Sequence, residues 1–166
     1  MRSIEIAFIR LGILLLSILP VVGFSQSPCE KWGLSLGGIY DDMGYDIQTK
    51  GDYIYICGSY SDTLQINRDH YLVSKGGTDV FIAKYLKNGS LVWVESAGGV
   101  WDDRAQEICS DNNDEIVIVG DFTGNAVFGK HILVSNGDYD MFTAKLSNQG
   151  DFLWAVGYGG LLIDNG

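Results

Sequence analysis

The chain has 166 residues, a formal net charge of −10 and a sequence pI of about 4.4. Hydrophobic residues make up 46% and charged residues 19%, which excludes a disordered tail and requires a packed core. An acidic surface repels phosphate backbones and so argues against nucleic acid as a partner. The 22 Gly against 2 Pro, with many aromatic and β-branched residues, favour strands joined by tight turns.

The first element is a leader. Arg2 and Arg10 flank the start of an apolar run over residues 13–19, Pro20 follows, and small residues stand at Gly23 and Ser25. This is the pattern of a signal peptide over residues 1–25, cut between Ser25 and Gln26. The run is shorter than the ~20 apolar residues of a spanning helix, so no membrane span is expected after cleavage. A lipoprotein anchor at Cys29 is excluded by Pro28, where a small residue is required. Taking Arg2, Arg10 and Glu5 from the 11 basic and 21 acidic residues leaves 9 and 20, a net charge of −11 on residues 26–166. The expected location is secreted or at the cell surface, where such a charge suits solubility or the capture of cations.

Beyond the leader the chain repeats itself. Trp32, Trp93 and Trp154 recur every 61 residues, and the same shift carries Gly37-Gly38 onto Gly98-Gly99 and Gly159-Gly160. It carries Asp42 onto Asp103 and Asp164, Ser74 onto Ser135, and residues 78–84 (TDVFIAK) onto 139–145 (YDMFTAK), pairing Phe81 with Phe142. One inserted residue in the second copy aligns 52–58 with 114–120 and is lost again before His131, the counterpart of His70. The copies run near 32–92, 93–153 and, in part, 154–166.

Each copy reads as four short strands. In the central one these are 105–110, 115–122, 140–146 and 151–156, with turns at Asp111-Asn112-Asn113-Asp114 and Asn148-Gln149-Gly150. The link between the second and third strands holds Ala126-Val127-Phe128 and Ile132-Leu133-Val134, a candidate for extra pairing at the unit's outer edge. No helical periodicity occurs outside the leader. A four-stranded antiparallel meander has two apolar faces, and radial stacking covers both. The predicted fold is therefore all-β: an incomplete β-propeller of about two four-stranded blades plus part of a third. Trp32, Trp93 and Trp154 are expected between neighbouring blades. A β-solenoid fits less well, because its coils repeat over shorter spans.

The motifs Gly77-Thr78-Asp79-Val80-Phe81-Ile82-Ala83-Lys84, Gly89-Ser90-Leu91-Val92-Trp93, Gly98-Gly99 with Asp103, and Ile116-Val117-Ile118-Val119-Gly120 resemble the bacterial SBBP-type β-propeller repeat. The resemblance covers essentially all of the chain after the leader. It implies an exported or surface-associated propeller, often part of a large multidomain protein, whose shared residues (Trp32, Trp93, Trp154, Gly38, Gly99, Gly160, Phe81, Phe142) are architectural. About two and a third units fall short of the four blades a propeller needs, which at this period take about 244 residues. The expectation is an N-terminal fragment or truncated product, marginal alone because each open blade exposes an apolar face, or closing a ring by self-association.

Sites are sparse. Asp102 and Asp103, with Asp111 and Asp114, offer oxygens that calcium takes in numbers of six to eight, but they do not match the spaced Asp-x-Asp-x-Asp-Gly loop. Turn chemistry accounts for them equally, and no cofactor is assigned. His70 and His131 read as turn decoration. Of Cys29, Cys57 and Cys109, Cys57 lies in an apolar alternation and reads as a small buried hydrophobe. Trp101, replacing Tyr40 of the first copy, is a candidate ligand-facing aromatic. Asp62-Thr63-Leu64 fits an O-glycosylation pattern of some exported bacterial proteins at Thr63, whereas the Asn88-Gly89-Ser90 sequon falls in a turn. No Gly-x-Ser-x-Gly elbow or His-partnered Cys motif appears, and carboxylates duplicated in each copy look architectural, so no catalytic residue is assigned. The expected function is a non-enzymatic binding or scaffolding module for protein or carbohydrate. The alternative is part of a polysaccharide lyase or hydrolase with its catalytic residues in missing blades or domains.

Overall fold

Period-2 alternation becomes strand in both copies. The computed structural model describes residues 33–162, and among these there are ten β-strands and no helix. The leader, Cys29, Trp32 and Asp164 lie outside the described residues. Strands β1 (Asp42–Lys50), β2 (Tyr53–Gln65), β3 (Tyr71–Leu86) and β4 (Leu91–Gly99) form an antiparallel meander, the first sheet. Strands β5 (Asp103–Ser110), β6 (Ile116–Phe122), β9 (Asp140–Leu146) and β10 (Phe152–Tyr158) form the second, in the order β10-β9-β6-β5. Both sheets are open and antiparallel. Each ends on a Trp-bearing strand, so the structural unit runs from Asp42 to Gly99 and then from Asp103 to Tyr158, out of phase with the Trp-to-Trp count.

The segment between β6 and β9 folds as a hairpin of β7 (Asn125–Phe128) and β8 (His131–Val134). The expectation of pairing at its own unit's outer edge is corrected here. The hairpin pairs with β4 of the preceding sheet, Gly98 opposite Val127 and Gly99 opposite Ala126, giving six strands in the order β1-β2-β3-β4-β7-β8. Two glycines permit this. Gly124 takes φ 65 and turns the chain off β6. A Cβ at Gly99 would fall well inside contact with the Asn125 carbonyl oxygen, so only glycine admits the incoming strand. In the first copy the equivalent hairpin is continuous with β2 and β3, which therefore run to 13 and 16 residues. It bends at Asp62, φ 58, and its Gln65 bridges Gly37 as Val127 meets Gly98.

Alternation gives each sheet a forward and a rear face. The forward face of the first sheet (Tyr55, Cys57, Val80, Ile82, Ala97) and the rear face of the second (Ile108, Ile116, Ile118, Phe142, Ala144) merge into one buried core. Phe142 is its hub: its ring lies 4.6 Å from Phe128 and 6.5 Å from Phe122. A second cluster, Tyr60, Leu64, Phe81, Ala83 and Tyr85, forms the rear of the first sheet, with Leu36 of the leading segment packed on it. Cys57 is a buried free thiol in the shared core, as expected, pushed up to about 12 by burial; Cys109 is free and exposed. No helix among the described residues is long and apolar enough to cross a membrane.

Candidate functional site

The junction between the two units is built from repeated polar residues. Asp103 follows the Gly98-Gly99 turn, and its Oδ2 accepts the Gly99 N–H at 2.7 Å while Oδ1 accepts from Thr123 at 3.3 Å. Asp42 does the same for Gly38 at 2.5 Å. Asp79 and Asp140, also 61 apart, accept the amides of Lys75 and Asn136 at 2.9 and 2.8 Å. Asp42, Asp103 and Asp140 open strands and Asp79 lies within β3, and each satisfies a nearby backbone amide, which explains their recurrence. Trp93 joins the units directly: its indole N–H donates to the Asn148 carbonyl at 3.0 Å, as does Lys84 Nζ at 3.1 Å. Both thus reach from the first sheet to the β9–β10 turn of the second. Trp154, the counterpart, has no such cover among the described residues and is 38% exposed. Lys145, the counterpart of Lys84, turns to its own sheet, 3.0 Å from Asp111 and 2.6 Å from Glu115.

Asp103 is fully buried, and that burial pushes its carboxyl from 3.8 up to about 7; neighbouring Asp79 adds to the effect, while the Gly99 and Thr123 amides and Lys75 oppose it. Folding therefore takes up a proton between about pH 4 and 7. The contribution is complete below about pH 4 and is lost as pH rises through 7. Asp79 and Glu95 are raised by burial in the same sense, whereas Asp102 is lowered, chiefly by the Thr78 amide. Asp103→Asn is expected to flatten the fall in stability between pH 4 and 7, measured by urea melts across that range. An unchanged slope would refute the assignment.

Beside this junction lies an open polar cleft of about 560 Å³, lined by Tyr40, Ser61, Asp62, Ser74, Lys75, Thr78 and Asp102. Ser74 Oγ accepts the Asp62 N–H at 3.0 Å and holds the bend of β2, as Ser135 holds Gly124 at 2.8 Å. Asp102 accepts from Thr78 N–H at 3.0 Å and from Tyr139 Oη at 3.2 Å, and pairs with Arg104 at 3.4 Å. Arg104 also meets Asp121 at 3.4 Å and stands over the Tyr139 ring. The wall is rich in hydroxyls and carboxylates, with one cation in Lys75 and one aromatic ring in Tyr40.

The sequence candidates fall out differently. Trp101 is 61% exposed, but its indole lies over Gly124, and Tyr40 is the aromatic that faces the cleft. Of the calcium set, Asp102 and buried Asp103 stand at the junction. Asp111 and Asp114 stand at the β5–β6 turn, held by Lys145 at 3.0 Å and Lys50 at 2.8 Å. Asp111 is lowered to about 2, mainly by its hydrogen bond from Lys145. No three metal-ligating side chains cluster among the described residues. His70 sits in the 67–70 turn, 3.0 Å from Asn67 Oδ1, and His131 opens β8. Thr63 is half-buried in β2 opposite Val73, and Asn88 Oδ1 caps its own turn by accepting from Ser90 at 3.0 Å. The cleft itself was missed. Its serines and Thr78 are ordinary polar residues in sequence, marked only by the repeat, which aligns Ser74 with Ser135 and Thr78 with Tyr139. No family model matches the chain, and no curated protein matches it.

Proposed function

We propose that the chain is an exported, non-enzymatic binding module built from successive blades of an SBBP-type β-propeller, with the polar cleft at the junction as its contact surface. One observation carries the reading: framework residues that repeat every 61 positions join one sheet to the next, and beside that join an open cleft, outside the shared apolar core, brings hydroxyls, carboxylates and one aromatic ring to a single wall. The resemblance of the Gly-x-Asp-x-Phe-x-Ala-Lys and Gly-x-Leu-x-Trp motifs to that repeat supports the blade reading, as does face-to-rear stacking of two equivalent sheets. Hydroxyls and carboxylates around one ring are the donor and acceptor set that suits a sugar face, so carbohydrate is the favoured ligand class. Protein ligands are the other class such a loop-built surface serves.

A panel of soluble polysaccharides and peptides, titrated into the purified protein, tests this. Carbohydrate binding that weakens by about tenfold in Tyr40→Ala and in Asp102→Ala is expected, since each removes a contact worth about 1.4 kcal/mol. Binding that survives both substitutions, or turnover of a polysaccharide, would overturn the proposal.

A further inference from the structure

One lysine at the junction is buried without a carboxylate. Lys84 on β3 is 4% exposed, yet it makes no ion pair among the described residues. One of its N–H donors reaches the Asn148 carbonyl at 3.1 Å, and the Tyr53 and Tyr55 rings stand 4.1 and 5.3 Å from its Nζ. The second copy shows what is missing. Lys145 lies opposite Val117 as Lys84 lies opposite Tyr55, and it is held by Asp111 and Glu115 of its own sheet. In the first copy those two positions are Lys50 and Tyr53. Lys50 crosses to Asp114 at 2.8 Å. Asp114 also acts on Lys84 from a distance, but burial outweighs it and holds the ammonium below the usual lysine range. A buried cation is costly until an anion meets it.

Lys84 lines an open cavity of about 380 Å³ with Tyr53, Val92, Trp93, Asn148 and Gln149. That volume lies in the range of small-molecule sites. None of the lining residues is acidic; Glu95 packs on Gly150 beside the Trp93 ring and is not part of the wall. Trp93 and Tyr53 are half-buried, while Asn148 and Gln149 are exposed. We propose that this cavity binds an acidic sugar, a hexuronate whose carboxylate meets Lys84 Nζ and whose ring lies against Trp93 and Tyr53. The external carboxylate plays for Lys84 the part that Asp111 and Glu115 play for Lys145. The side-chain amides of Asn148 and Gln149 offer donors and acceptors to ring hydroxyls, and with two aromatic rings they favour a sugar over an acidic peptide. The cavity shares no lining residue with the polar cleft.

Calorimetric titration of the purified protein with a galacturonate oligomer tests this, beside the same oligomer with its carboxylates reduced to alcohols. The uronate is expected to bind, and the reduced oligomer to bind at least about tenfold more weakly. Tyr53→Glu gives Lys84 the internal carboxylate of the second copy, so uronate binding should fall by at least about tenfold. Tyr53→Gln removes the same ring without adding charge, and should hold the uronate more tightly than Tyr53→Glu does. Lys84→Met should abolish the preference for uronate over the reduced oligomer. Unchanged near-ultraviolet circular dichroism is the criterion of folding, and the two Tyr53 variants decide should Lys84→Met fold poorly. No uronate binding, equal binding of the two oligomers, equal losses in Tyr53→Gln and Tyr53→Glu, or tighter capture of a polyglutamate peptide would each overturn the proposal. So would uronate binding that Tyr40→Ala abolishes, since that variant alters the cleft alone; the failure of one site is thus distinguishable from that of the other.

Discussion

Phe142→Ala is expected to destabilise the protein by roughly 3–5 kcal/mol, the largest effect of any single truncation in the junction. The side chain is 1% exposed and contacts Phe122 and Phe128 in the core shared by both sheets. Its neighbours are held by sheet hydrogen bonds and cannot collapse into the space, so the cavity cost adds to the lost transfer energy. The repeat supplies its own control. Phe81 occupies the same position in the first sheet, but its cluster is covered by the leading segment and by no second sheet among the described residues. That site can relax, and Phe81→Ala should fall toward the lower end of the range. Urea melts with matched slopes decide the matter. Equal costs at the two positions would mean that the sheets do not share a core.

Gly99→Ala is expected to be the next most damaging, at roughly 2–4 kcal/mol, although it adds one methyl group. Among the described residues, the only strand pairing between the units runs through Gly98 and Gly99, and the added Cβ meets the Asn125 carbonyl. Either β7 retreats and the ladder breaks, or β4 twists away from the core. Amide hydrogen exchange at Ala126 and Val127 should accelerate well beyond the change seen elsewhere in the second sheet. Gly44→Ala, where no atom lies within 4 Å of the new Cβ, should stay within about 0.5 kcal/mol of the parent. If Gly99→Ala proved as mild, the glycine would be a passenger and the crossing of β7–β8 would lack its stated cause.

The strands of the meander were legible because each carries its own signal. Ile116, Ile118 and Phe142 alternate with half-buried residues, and turns such as Asn148-Gln149-Gly150 are set by local chemistry: Gly150 takes φ 97, and Ser147 Oγ accepts from Gln149 and Asp151. The partner of β7–β8 was not legible. A four-residue strand has too little pattern to choose between two edges, and the choice is made by the missing side chain at Gly99, some 26 residues upstream of Asn125. Nor could sequence separate Asp102 from Asp103. Asp102 stands just before β5 and lines the cleft, whereas Asp103 opens the strand and is sealed beneath the Gly-Gly turn. Burial, not composition, gives them different chemistry. The cleft was hidden for a related reason: Tyr40, Ser61, Ser74 and Asp102 come from four separate stretches of chain.

The crossing of the β7–β8 hairpin also bears on how such a chain lengthens. Because every period carries the clasp for the module before it, a gene duplication of 61 codons, begun at any point in the cycle, inserts a module already latched on both sides. Neither breakpoint needs to fall between the two sheets, since the β7–β8 hairpin of one unit is hydrogen-bonded into the sheet of the unit before it. Growth of this kind is directional and seamless, and it asks no new contact of the residues that flank it.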